Sequence, residues 1–238
     1  MTIDAVKIKT SQTAGKNHAL SFDGKDDYVY IREIKYEPNQ PITIEARVKL
    51  SASATGIGVI LHTHISGGPT FFFDETGALT KTERAWNFRY PGQKDDFSSP
   101  KNSANPNRWT HLAEVWDGNQ CFFFVDGKRV ASTETKKAPW PQSFDAYIGT
   151  HYGLSHQSGL SFYGLIDEVR VSKTARYTKN FTPAKRFTPD KDTLALYHFD
   201  EGTGDVLKDS FGNGHHGKII GAKWVDADGS ATDAVGKN

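Results

Sequence analysis

The sequence predicts an all-β protein, built as a two-sheet antiparallel sandwich. Three observations carry this. Apolar and polar residues alternate with a period of two almost throughout, which is the side-chain period of a strand. Turn-forming residues cut that pattern into short pieces, with 22 Gly and 10 Pro in 238 residues. Helix is expected only as one turn, in "KTARYTKNF" (173–181). Many short strands with almost no helix point to two packed antiparallel sheets.

The elements follow in order. "ALSFDGKDDYVYI" (19–31) reads as two strands joined by a tight turn. In "PITIEARVKL" (41–50), Ile42, Ile44, Ala46, Val48 and Leu50 share one face, and Thr43, Glu45, Arg47 and Lys49 are expected on a wet one. "GVILHTH" (58–64), "TFFFD" (70–74) and "AWNFRY" (85–90) are further short strands. A polar loop, 91–107, is long enough to suggest a binding rim. "WTHLAEVWDGNQCFFFVDGKRVAS" (109–132) reads as a three-stranded meander, because Asp-Gly tolerates the positive φ of tight hairpins. "FDAYIGT" (144–150) and "LSFYGLIDEVRVS" (160–172) follow, separated by the loop 151–159. Residues 183–193, with Pro183 and Pro189, are a connector to strands within 194–225. Residues 226–238 have no strand pattern and are expected to be a flexible tail, so that 1–238 forms one domain.

Bulk properties exclude several classes. Lys+Arg 29 against Asp+Glu 28 gives a net charge of +1, so nothing points to nucleic acid as a partner. No stretch is apolar enough for membrane insertion as a helix. The single cysteine, Cys121 in "QCFFFVDG", is expected in the core or sheet. The first residues lack the apolar segment of a secretory leader, so any export signal is expected outside this chain.

Three stretches taken together carry a resemblance. "ALSFDGKDDYVYI" with "ITIEARVKL", then "RWTHLAEVWDGNQCFFFVDGKRVA" (108–131), then "GLIDEVRVSKTARY" (164–177) closely resemble the laminin-G-like domains of the concanavalin A-like lectin/glucanase superfamily. The resemblance implies a jelly-roll sandwich, an extracellular or cell-surface setting, and a glycan or a protein surface as ligand. "ALYHFDEG" (195–202), "DSFGNGHHG" (209–217) and "KIIGAKWV" (218–225) resemble the segment that usually opens such domains. Either the tail fills the slot of the usual head, or it begins a second, truncated copy. The lack of strand pattern after Val225, and the exposed edge an isolated "LALYHF" strand would leave, favour the first.

Candidate site residues fall in three groups. Asp23, Asp26 and Asp27 crowd one turn, which costs energy unless a cation, a turn hydrogen bond or solvent relieves it. Asp167 shares the alternation of Tyr163, Leu165, Val169 and Val171, an apolar face on which a carboxylate needs a partner. Resemblance implies one structural calcium ion, with Asp27 and Asp167 as ligands and Asp23 or the Gly24 carbonyl as additions. His62 and His64 point to one side of a strand and are expected as polar groove contacts. Asn87 and Arg89 lie opposite Trp86 and Phe88, which are expected in the core. With loop residues Trp140, His151 and Tyr152 they make a candidate glycan surface.

Catalytic signatures are weak. Hydrolysis by this fold would need two acids on one face. Glu45 and Glu114 have no second acid in alternation, and Asp167 and Glu168 are adjacent, hence on opposite faces. The expectation is a non-enzymatic recognition module. The alternatives are a polysaccharide hydrolase or lyase, and a structural or adhesive module.

Overall fold

The computed structural model describes residues 17–37, 39–63, 70–77, 82–89, 97–135, 143–151 and 160–229. Sixteen strands lie among them: β1 (His18–Asp23), β2 (Tyr28–Lys35), β3 (Ile42–Leu50), β4 (Ile57–Thr63), β5 (Thr70–Asp74), β6 (Ala85–Arg89), β7 (Phe97–Ser98), β8 (Trp109–Trp116), β9 (Gln120–Val125), β10 (Lys128–Glu134), β11 (Ser143–Ile148), β12 (Tyr163–Ser172), β13 (Thr193–Tyr197), β14 (Val206–Leu207), β15 (Gly217–Ile220) and β16 (Lys223–Asp226). Sheet A runs β10-β9-β8-β3-β12-β1-β16, with β13 also paired to β12. Sheet B runs β14-β15-β2-β11-β4-β5-β6-β7. The strand pairings within both sheets are antiparallel, as the alternation predicts.

The core lies between the sheets. β3 supplies Ile42, Ile44, Ala46, Val48 and Leu50 from sheet A, while Phe71, Phe73, Trp86 and Phe88 come from sheet B. Phe123 of β9 meets Phe71 and Phe88 across the layers at centroid distances of 6.0 and 5.9 Å. Each such Val, Leu, Ile or Phe side chain, fully buried, stabilises the fold by about 1.5–3 kcal/mol. Cys121 is in this core, as expected, and its thiol reaches the Glu114 carboxyl at 3.6 Å. The β9–β10 hairpin turns on Asp126 and Gly127, at φ 48° and 72°, the conformation the Asp-Gly pair predicts.

The outer face of sheet A departs from expectation. Thr43 and Glu45 of β3 are buried instead of wet. They lie under the chain between β12 and β13, which forms a strap across the sheet. Ala175, Tyr177 and Phe181 of this strap pack on Ala113, Val115, Phe122 and Phe124, a second apolar cluster. Gly127 allows the close approach, since a Cβ there would sit 2.0 Å from the Phe181 carbonyl oxygen. Beneath the strap, Arg170 donates to Glu45 Oε1 from Nε and Nη2 (2.8 and 2.6 Å), while Tyr177 donates to Glu45 Oε2 (3.0 Å). His111 Nε2 is 2.9 Å from the same Oε2.

The helical turn expected over 173–181 does not form. Its backbone groups bond to the sheet instead of to one another. The Thr43 hydroxyl donates to the Thr174 carbonyl and accepts from the Arg176 N–H, and the Phe181 N–H donates to the Gly127 carbonyl.

The segment after the strap is built into both sheets. β13 pairs with β12, β16 with β1, and the β14–β15 hairpin with β2. Asp209 organises the turn within "DSFGNGHHG": its carboxylate accepts from the N–H groups of Leu196, Phe211 and His215. The first residues expected in a flexible tail are tied down. Ala227 N–H donates to the Asn17 carbonyl, and Trp109 Nε1 to the Ala227 carbonyl. Residues 230–238 lie outside the described residues.

Candidate functional site

The strap lies over the middle of sheet A, and the outer face of sheet B carries a separate side-chain array. Alternation decides what it carries. On β2, Val29 and Ile31 enter the core, so Tyr28 and Tyr30 face out, half-buried. On β11, Phe144, Ala146 and Ile148 enter the core, so Ser143, Asp145 and Tyr147 face out. Register then aligns one row across six strands. Lys218 pairs with Tyr30, Tyr30 with Tyr147, Tyr147 with His62, His62 with Thr70, and Thr70 with Arg89.

The row divides into a platform and a wall. The Tyr147 ring lies 5.1 Å from that of Tyr30 and 6.2 Å from that of Tyr28, centroid to centroid. These three half-buried rings make an aromatic patch with polar tips. Tyr30 donates its hydroxyl to Asp145 Oδ2 at 2.8 Å, and Asp145 Oδ1 accepts the Glu33 N–H at 2.8 Å. That second bond clamps a β-bulge, where Glu33 adopts φ +49° and the β2–β11 register shifts. Beyond Tyr147, His62 is buried. Its Nδ1 lies 2.8 Å from the Thr70 hydroxyl, and the His151 ring stacks on it at 3.9 Å and 23°.

The structure thus brings His62 and His151 together and puts Arg89 at the far end of their row, where it lies over the Phe72 ring. Asn87 is on the expected face but fully buried. It donates to the Ala85 carbonyl and accepts from the Ser98 hydroxyl, so its amide is engaged within the sheet. Trp86 and Phe88 are core, as predicted. His64, Trp140 and Tyr152 lie outside the described residues. Sequence reasoning missed Tyr28, Tyr30 and Tyr147, although "YVYI" and "DAYI" carry the same alternation that sorted Trp86 from Asn87.

The expected ion ligands do not converge. Asp23 of β1 pairs in register with Tyr163 of β12, four residues from Asp167, a separation of roughly 14 Å along the strand. Asp167 also does not share a face with Val169 and Val171. A bulge at Glu168 (φ +51°) switches the alternation, so Ile166, Val169 and Val171 enter the core while Asp167 turns to the opposite face of the sheet, where it is buried as well. What remains is the β1–β2 turn. Asp23, Asp26 and Asp27 each offer a carboxylate oxygen, all within 4.8 Å of one another. Asp27 is buried and accepts the Asp23 N–H at 2.8 Å, and a Cβ at Gly221 would meet its Oδ1 at 2.1 Å. Burial raises the Asp27 pKa, against the Asp23 N–H bond that lowers it, and the neighbouring charges of Asp23 and Asp26 raise it further. An all-oxygen set of this kind fits a hard cation such as calcium.

The model of the Concanavalin A-like lectin/glucanases superfamily, a laminin-G model, matches residues 23–180. The chain belongs to that superfamily. Solved structures agree on the fold. A Bacteroides ovatus protein thought to bind carbohydrate is 21% identical, with a TM-score of 0.69 over 89% of this chain and 60% of its own. The chain therefore spans about 60% of that protein's length. The heptameric SAP-like pentraxin of Limulus polyphemus is 16% identical, with a TM-score of 0.54 over 68% of this chain and 79% of its own. The CBM40 of the Ruminococcus gnavus IT-sialidase is 13% identical, with a TM-score of 0.50 over 67% of this chain and 92% of its own. No curated protein is similar to the chain in sequence.

Proposed function

We infer that this chain is a non-enzymatic carbohydrate-recognition module, part of a larger exported protein, and that it binds sugar on the outer face of sheet B. The tyrosine platform carries the reading. Sugar rings present C–H faces that stack on aromatic rings, while their hydroxyls need nearby donors and acceptors. Tyr28, Tyr30 and Tyr147 offer both, beside Asp145 and Lys218. Tyrosine gives such contact area at low cost in side-chain entropy. The carbohydrate-binding description of the Bacteroides ovatus neighbour supports the same reading.

A glycan array tests it. The wild type is expected to retain at least one class of oligosaccharide. Tyr147→Ala should weaken that binding by about tenfold or more, with an unchanged melting temperature. Retention of protein ligands only, with every glycan spot blank, would move the reading to protein recognition. A competing reading as a polysaccharide lyase or hydrolase draws on the register pairing of Tyr147 with His62. Reducing ends or unsaturated products released from a bound polysaccharide would establish it.

The β1–β2 turn is read as the seat of a structural calcium, with Asp23, Asp26 and Asp27 as the side chains that would hold it. The ion would neutralise their mutual repulsion and fix the turn between the two sheets.

A further inference from the structure

A cleft of about 540 Å³ opens at the end of the sandwich where β2 ends and β11 begins. Its lining includes Glu33, Lys35, Glu37, Gln40, Ser143 and Lys173. This volume lies within the usual range of small-molecule sites. Two features tie it to the tyrosine platform. Ser143 lines the cleft and lies on the same strand face as Asp145 and Tyr147. Glu33 also lines it, and its N–H is held by the Asp145 carboxylate that accepts the Tyr30 hydroxyl. The bulge at Glu33 therefore turns the end of β2 toward the cleft, while Asp145 fixes it to the platform.

One side across the strands, toward β4, is closed. There the platform ends at buried His62 with His151 stacked on it. Along the strands, the outward-facing row of β11 continues from Tyr147 through Asp145 to Ser143, so sugars laid on Tyr28, Tyr30 and Tyr147 can extend toward the cleft. From Tyr147 to Ser143 is four residue steps, roughly 14 Å, a distance a trisaccharide spans and a monosaccharide does not. The lining charges of Lys35 and Lys173 cancel those of Glu33 and Glu37. Such a lining supplies donors and acceptors for hydroxyls with no net pull on an ion.

We propose that this cleft is a second subsite of the same binding face, and that the preferred ligand is a neutral oligosaccharide of about three units, lying along β2 and β11 with its end in the cleft. The inference rests on the carbohydrate reading of the platform.

The full 238-residue chain is titrated by calorimetry with mono- to pentasaccharides of arabinose, xylose, glucose, mannose and galactose. Affinity for the best series should rise by about tenfold or more from monosaccharide to trisaccharide, then level off. It should change by less than about twofold between low and high salt. The paired variant Lys35→Ala, Lys173→Ala should abolish the gain with length and leave monosaccharide affinity unchanged. Tyr147→Ala should lower affinity at every length. A length profile that is flat in the wild type, or a gain that survives intact in the paired variant, overturns the cleft assignment while the platform stands. Saccharides with no measurable binding at any length overturn the platform reading and the cleft with it.

Discussion

Asp167 is a carboxylate placed where water does not reach. It is 1% exposed, and its Oδ1 has no hydrogen-bond partner among the described residues. Burial, and then the charge of neighbouring Glu168, push its pKa up to about 8, against the opposing pull of Arg47. The folded-state value is above the unfolded one, so Asp167 holds a proton in the folded chain that the unfolded chain has lost. Stability from this group is complete below pH ~4 and falls as pH rises, until the loss is complete near the folded pKa. Asp167→Asn removes that dependence. In urea melts the variant should gain on the wild type from pH ~4 to about 8 and keep a constant advantage above. Parallel profiles would contradict the assigned burial. The facing of this residue was not legible in the sequence, because simple alternation places it with Val169 and Val171. The bulge at Glu168 comes from the β3–β12 register, which involves residues far apart in the chain. Tyr28 and Tyr30 were legible by the same alternation, but only once Val29 and Ile31 are assigned to the core.

Among the elements, the strap shows most clearly what local patterning misses. Glu45 reads as solvent-facing in "ITIEARVKL", since nothing within β3 announces a cover. The cover comes from Tyr177, more than a hundred residues later, and the ion pair with Arg170 comes from the β3–β12 register, which sets the two residues side by side. Removing one partner of such a buried pair typically costs about 3–5 kcal/mol. The β1–β2 turn, by contrast, was legible from three aspartates in "FDGKDD". If it holds calcium, saturating ion at about 100 times Kd adds about 2.7 kcal/mol, which is roughly 5–10 °C in melting temperature for a chain of this size. Metal-loaded protein should lose that increment in chelator, and Asp27→Asn should show no calcium response. Equal melting curves with and without chelator, from protein shown to contain the metal, would rule out the structural ion.

At the scale of the whole molecule, alternation predicted two antiparallel sheets, and the sheets are present. Strand order was less accessible. β13 to β16 enter both sheets at β12, β1 and β2, and only long-range pairing reveals which slots they fill. The consequence for function is positional. β15 lies beside β2 and brings Lys218 to Tyr30, so a strand late in the sequence borders the platform built by β2 and β11. The strap covers part of one outer face, and the tyrosines occupy the other. The claim that sugar binds this second face is tested most directly by amide chemical-shift mapping of the intact chain, saturated with its best-binding oligosaccharide. Shifts concentrated at residues 28–33, 143–148 and 217–220 are the predicted result. Shifts concentrated on β8, β9 and the strap, with the platform silent, would contradict it.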